Sequence, residues 1–237
     1  MRNILILARK EWKNYFSGPL GFLFPGLLLT LANWLFMNDL FLTRQAEMKL
    51  YWGVVGFLLS IFVPAMAMGL LAEEKKNGTW ELLLSLPIKD EEMVLGKFLG
   101  GAWYFLTVLG LTLPVAVTVS WLGRPDLGAM VGGYVGIVLL GTAYLSSGLF
   151  FSGLTNQPVA AFLTGAVWLI INNLMGQEIV ASRLPWFLKG ITASLSLTAR
   201  GEKFSAGLVD IGDGVFFLSW TAVFLMLTVL SLKSRDK

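Results

Sequence analysis

The 237-residue chain is 56% hydrophobic and only 14% charged, against about a quarter charged for a soluble domain. It has no His and no Cys, which excludes imidazole and thiolate metal sites, His-based triads, cysteine nucleophiles and disulfides. The net charge is +3; in a chain this apolar, excess Lys and Arg report topology rather than nucleic-acid binding.

The charged residues are bunched, leaving uncharged runs of 25 residues after Lys13, 23 after Lys49, 26 after Lys97, 51 from Leu127 and 19 from Gly214. A helix needs about 20 apolar residues to cross the hydrocarbon core. Four of these runs hold one span each and the run of 51 holds two. The expectation is an all-α integral membrane protein with six transmembrane helices, residues 1–237 forming a single domain.

Residues 1–18 read as an amphipathic helix. At 100° per residue Ile4, Leu5, Ala8, Trp12, Tyr15 and Phe16 share one face and Arg2, Arg9 and Lys13 the other, a pattern suited to the headgroup plane. A charged leader is the plainer alternative. Gly18-Pro19 then turns the chain into the first span, about Leu20 to Asn38, which is too long for a cleavable signal. The second span runs from about Tyr51 to Ala72 around Pro64. The third runs from Leu95 to Trp121 around Pro114, the fourth from Ala129 to Gly153, and the fifth from the Thr155–Pro158 turn to Gln177. A polar segment, 179–212, precedes the sixth span, Asp213 to Leu232. With both termini inside, eleven of the eighteen Lys and Arg residues are cytoplasmic, which favours that orientation.

The loop between spans two and three, residues 73–92, is the most informative stretch. Glu73-Glu74-Lys75-Lys76 closes span two, Gly78 stops it, and Thr79-Trp80-Glu81-Leu82-Leu83-Leu84-Ser85-Leu86-Pro87 reads as a two-turn helix. Thr79 is its expected N-cap, Glu81 sits in its first turn, and Pro87 ends it. Asp90 is expected to cap span three. An apolar helix of two turns in a water-facing loop needs a surface to bury against: either a partner or the headgroup interface. Glycines at 96 and 100, and at 128, 132 and 136, have the spacing of close helix packing. Asn33, Asn172 and Asn173 are amides within spans, suited to interhelical hydrogen bonds or to a substrate path. The spans carry no charged residue at mid-depth, so ion-coupled transport is not expected.

The Glu…Lys…Asn-Gly-Thr…Glu-Leu-Leu-Leu…Pro string after the second of six spans, followed by Gly96-Lys97, resembles the coupling region of type-2 ATP-binding-cassette (ABC) exporter permeases. The later stretch Phe204-Ser205-Ala206-Gly207-Leu208-Val209-Asp210, with Asp213 and Phe216–Ser219, is similar to the small permeases of gliding motility and copper-enzyme maturation. The resemblance implies a permease subunit in the inner membrane that works with a separate ABC ATPase, two copies of each per transporter. Glu73, Glu74, Lys75, Lys76, Gly78, Thr79, Trp80, Glu81, Leu82, Leu83, Leu84 and Pro87 would form the ATPase contact. ATP and Mg would sit on that partner, with no cofactor on this chain, and residues 179–212 would supply outer re-entrant or interfacial helices. A membrane scaffold or mechanical coupler driven by the same ATPase is the alternative. In agreement, Gly96-Lys97 is not a Walker A loop, because Glu91 stands where its first Gly belongs and Phe98 follows the Lys.

Overall fold

The computed structural model of the protein describes residues 2–43, 47–84, 87–123, 125–177, 195–208 and 210–233. The expectations for Ser85, Leu86 and residues 179–194 lie outside the described residues, as do the side chains of Leu82, Leu83 and Leu84. The described residues form eleven helices and no strand: α1 (Arg2–Ser17), α2 (Leu20–Thr43), α3 (Lys49–Ala67), α4 (Ala72–Lys76), α5 (Thr79–Leu84), α6 (Asp90–Gly110), α7 (Leu113–Leu122), α8 (Leu127–Leu154), α9 (Pro158–Met175), α10 (Leu197–Ser205) and α11 (Ile211–Lys233). Six stretches are long and apolar enough to cross a membrane: Gly21–Asn38, Lys49–Lys76, Asp90–Leu122, Leu127–Leu154, Pro158–Met175 and Ile211–Lys233. The chain is an integral membrane protein. Leu154 and Pro158 bracket a tight turn in which the Thr155 hydroxyl accepts from the Gln157 N–H.

Spans two and four, α3 and α8, form the centre of the bundle. Trp121, Val131, Val159, Met226 and other large apolar side chains on the remaining faces stay exposed, as a lipid-facing surface must. The α3–α8 approach is close because α8 is rich in glycine. A Cβ at Gly133 would lie 2.0 Å from the Trp52 indole nitrogen, and one at Gly148 would lie 2.7 Å from the Ala67 Cβ. Neither neighbour can withdraw from a packed helix face. Gly133→Ala is therefore expected to lower stability by about 1–3 kcal/mol, read as a fall in the thermal unfolding midpoint in detergent.

Both glycine series serve packing. Gly96 and Gly100 on α6 seat α1, with Leu7 and Ala8 pressed against them, and Gly132 and Gly136 on α8 receive Phe204 of α10. Gly128 lies instead beside its own N-cap, Asp126.

Two spans are broken rather than merely kinked. Span three divides into α6 and α7 at Leu111–Thr112, because Pro114 enters at the start of the second piece without an N–H to continue the ladder. Span two stops at Ala67, three residues past Pro64, and resumes as α4. The second break shapes the site described next.

Candidate coupling site at the base of the bundle

One end of the bundle gathers α1, the break after α3, α4, α5, the first turn of α6 and the last turns of α8 and α11; it is called the base here. The chain leaves α3 at Ala67 with unpaired backbone groups in a buried setting. Ser152 on α8 takes up three of them. Its Oγ accepts from the N–H groups of Leu71 (3.3 Å) and Ala72 (3.0 Å) and donates to the Met68 carbonyl (3.2 Å). The Tyr15 hydroxyl donates to the Met66 carbonyl at 3.0 Å. The Lys75 ammonium donates to the Gly153 carbonyl, a cation at a helix C-terminus where the dipole favours it. The short α4 is thus held by side chains rather than by its own length.

The strongest tie is ionic. Lys97, on α6, is fully buried, and its Nζ lies 2.7 Å from Glu74 Oε2 on α4 and 3.0 Å from Glu11 Oε1 on α1. Burying that ammonium is costly unless carboxylates meet it, so the three helices are joined through one residue. Weaker links surround it: Asn3 donates to Glu92 at 3.3 Å, Trp12 to Thr107 at 3.2 Å, and Lys233 to Glu91 at 3.2 Å. Burial pushes the Tyr15 phenol well above its ordinary range, and the Glu11 carboxylate adds to that shift.

Beyond α4, Gly78 takes a left-handed conformation with φ +72°, which a residue with a Cβ reaches only at a cost. The reversal projects α5 from the base. Thr79 is the first helical residue rather than the expected N-cap, and its hydroxyl donates back to the Glu74 carbonyl at 3.2 Å. Asp90 likewise lies in the first turn of α6; the cap position is Lys89, whose side chain makes no cap bond. Glu73, Lys76, Gly78, Thr79, Glu81 and Pro87 are exposed. Trp80 finds on the bundle itself the surface that the short apolar helix needs. It packs half-buried against the Leu7 and Met93 cluster, with the Lys75 ammonium 5.2 Å from its ring centroid. The indole anchors α5 to the bundle at the apolar corner where α1 meets α6.

The remaining predicted residues lie elsewhere. Asn172, at the other end of α9, accepts from the Leu197 N–H (3.0 Å) and donates to the Leu195 carbonyl (3.3 Å). It docks α10, while Asn173 beside it is buried and Asn33 is half-buried on α2. Sequence reasoning gave Asp213 no partner; it is buried at the start of α11 and pairs with Arg200 and with Lys203 at 3.1 Å, and Arg200 also covers the Phe216 ring at 4.1 Å. Sequence reasoning missed Glu11 and Ser152. The signal for Glu11 was legible: it lies three residues after Ala8 and four before Tyr15, so the helix period places a lone acid on the apolar face of α1.

Six spans, the second of them broken and followed by a short helix at the base, define a membrane-embedded helical bundle. A family model for ABC-2 family transporter proteins matches residues 13–237, and the chain belongs to that family. It is 28% identical over 192 residues to a protein described as a probable multidrug ABC transporter permease, YbhS, of Escherichia coli K12, covering 77% of this chain and 50% of that one. The counterpart in E. coli O157:H7 gives the same values. The chain spans about half the length of the curated relatives it matches.

Proposed function

We propose that this chain is the permease subunit of an ABC exporter in the inner membrane, with the base of the bundle facing the cytoplasm and α5 docking on a separate ATPase. Family membership supports the permease reading. The observation that carries the docking is how α5 is held: a six-residue helix projected by Gly78, carrying exposed Thr79 and Glu81, and rooted through α4 in Lys97 and Ser152. A displacement of α5 by a closing ATPase dimer would reach α1, α6 and α8 through those contacts, because coupling needs an element that differs between two states and rigid links to carry the difference. Two permease and two ATPase subunits make up the transporter in this reading. ATP and Mg reside on the ATPase, the cargo is amphipathic or lipidic, and the orientation rests on the Lys and Arg bias.

Co-purification of the tagged permease with a Walker A protein tests the partnership. Glu81→Lys is expected to reduce permease-dependent stimulation of ATP hydrolysis at least about fivefold, the order of one well-placed charge contact, while leaving expression and thermal midpoint unchanged. Full stimulation in that variant would remove α5 from the contact. The chain has no native cysteine, so single cysteines report sidedness cleanly. Glu81→Cys should react with an impermeant maleimide only after permeabilisation, and Leu208→Cys should react in intact cells; the reverse pattern would invert the topology.

A further inference from the structure

Where α1 ends, the chain turns at Gly18–Pro19, and α2 begins beside the break in α3. These segments enclose a cavity of about 340 Å³. Its chemistry is one-sided. Glu11 and Glu73 supply carboxylates, Asn14 an amide, and Tyr15, Tyr104 and Phe24 aromatic surface; among the described lining residues none is Lys or Arg. Both phenol hydroxyls are committed, Tyr15 to the Met66 carbonyl and Tyr104 to the Gly21 carbonyl. The two phenol rings also stack on each other at 4.3 Å, so the lining offers a ligand the Glu11 and Glu73 carboxylates, the Asn14 amide, the Phe24 ring and the outer faces of the tyrosine pair.

Charge in the same corner is unbalanced. Glu11 is only 4% exposed, and it shares the single ammonium of Lys97 with Glu74. Two carboxylates on one buried cation leave a net negative charge in a low-dielectric setting, and such a charge is costly until a counter-charge meets it. Glu73 adds a further carboxylate to the lining. The negative field reaches Tyr15, whose phenol is raised by burial first and by Glu11 next.

From this cavity and its charge imbalance we infer a binding site for an alkylammonium headgroup, whose apolar tail runs along Phe24 and α2. Aromatic faces and carboxylates together select ammonium over neutral or anionic groups, and a cavity of this volume suits a small headgroup with its first methylenes. Such a headgroup has two sources: an aminophospholipid of the surrounding bilayer, or a soluble cationic amphiphile.

The test is photo-crosslinking of a diazirine-bearing dodecyltrimethylammonium probe to the full chain in nonionic maltoside micelles, with labelled positions mapped by mass spectrometry. Saturable labelling near Asn14, Tyr15 and Phe24 is expected, with dodecyl sulfate failing to compete. Glu73 and Asn14 are exposed, so variants there retain the fold. Glu73→Gln should weaken half-saturation about fivefold, and Asn14→Lys, which adds a cation at the rim, should weaken it at least as much. Competition by added phosphatidylethanolamine assigns the site to a bilayer lipid; its absence assigns the site to a soluble amphiphile. Unsaturable labelling, equal competition by dodecyl sulfate, or unchanged labelling in both variants would overturn the inference. No ATPase takes part in the measurement, so its outcome is independent of the coupling proposed above.

Discussion

Lys97→Met is expected to be the most damaging single substitution at the base, costing about 3–5 kcal/mol. The parent side chain is fully buried and meets Glu11 at 3.0 Å and Glu74 at 2.7 Å. Methionine fills similar space but removes the cation that lies between them. Two carboxylates then face each other without a counter-charge, and α1 and α4 are pushed from α6. The thermal midpoint in detergent should fall steeply, and protease should gain access to residues 2–17. Combining Lys97→Met with Glu11→Gln and Glu74→Gln should recover most of the loss, because an uncharged trio leaves no buried ion without a partner. A Lys97→Met protein as stable as its parent would show that the ionic contact does not hold α1 in place.

Ser152→Val ranks second and separates coupling from folding. One hydroxyl serves the N–H groups of Leu71 and Ala72 and the carbonyl of Met68. Valine removes the hydroxyl and strands all three, and the bulk it adds at this buried position is matched by threonine. An unsatisfied buried backbone group costs about 1–3 kcal/mol, so the break between α3 and α4 loses its fixed geometry. The bundle core is untouched, since α3 and α8 still pack through Gly148 and Ala67. The variant should insert and purify with a lowered midpoint, yet transmit movement of α5 poorly, so that ATP hydrolysis by the partner no longer responds to the permease. Ser152→Thr, which keeps the hydroxyl, should restore both. Unaltered stimulation in Ser152→Val would place the transmission route elsewhere, through Lys97 or Trp80.

These two residues also mark where sequence reading stops. Both sit in helices with plain patterns, and neither shows its task along the chain. Ser152 reads as an ordinary small residue in an apolar span, and only the broken end of α3 gives it a task. Lys97 was noticed as part of a Gly-Lys pair, but its two partners lie 86 and 23 positions away in the chain. Asp213 behaves the same way, since its meaning comes from Arg200 and Lys203 on a docked helix. Thr79 and Asp90 went the other way: capping preferences placed them one position outside their helices, whereas the turn at Gly78 and the extended Lys89 set the actual starts. Trp80 sits in a short apolar segment that asks for a surface, and the chain pattern does not say which one. Leu7 and Met93, from α1 and α6, supply it.

The six crossings, their order and the short helix after the second were determined by composition and periodicity alone, because spacing between charges and the length of apolar runs are properties of neighbours along the chain. The glycine series likewise announced close packing, since a missing Cβ needs no partner to be read. What tertiary structure alone decided is which faces meet: α1 on Gly96 and Gly100, α10 in Gly132 and Gly136, Ser152 on the broken helix, and one lysine between two glutamates. Burial and counter-charge are relations between distant segments. A residue that stabilises the fold by satisfying another's lost hydration becomes visible only when both are in place.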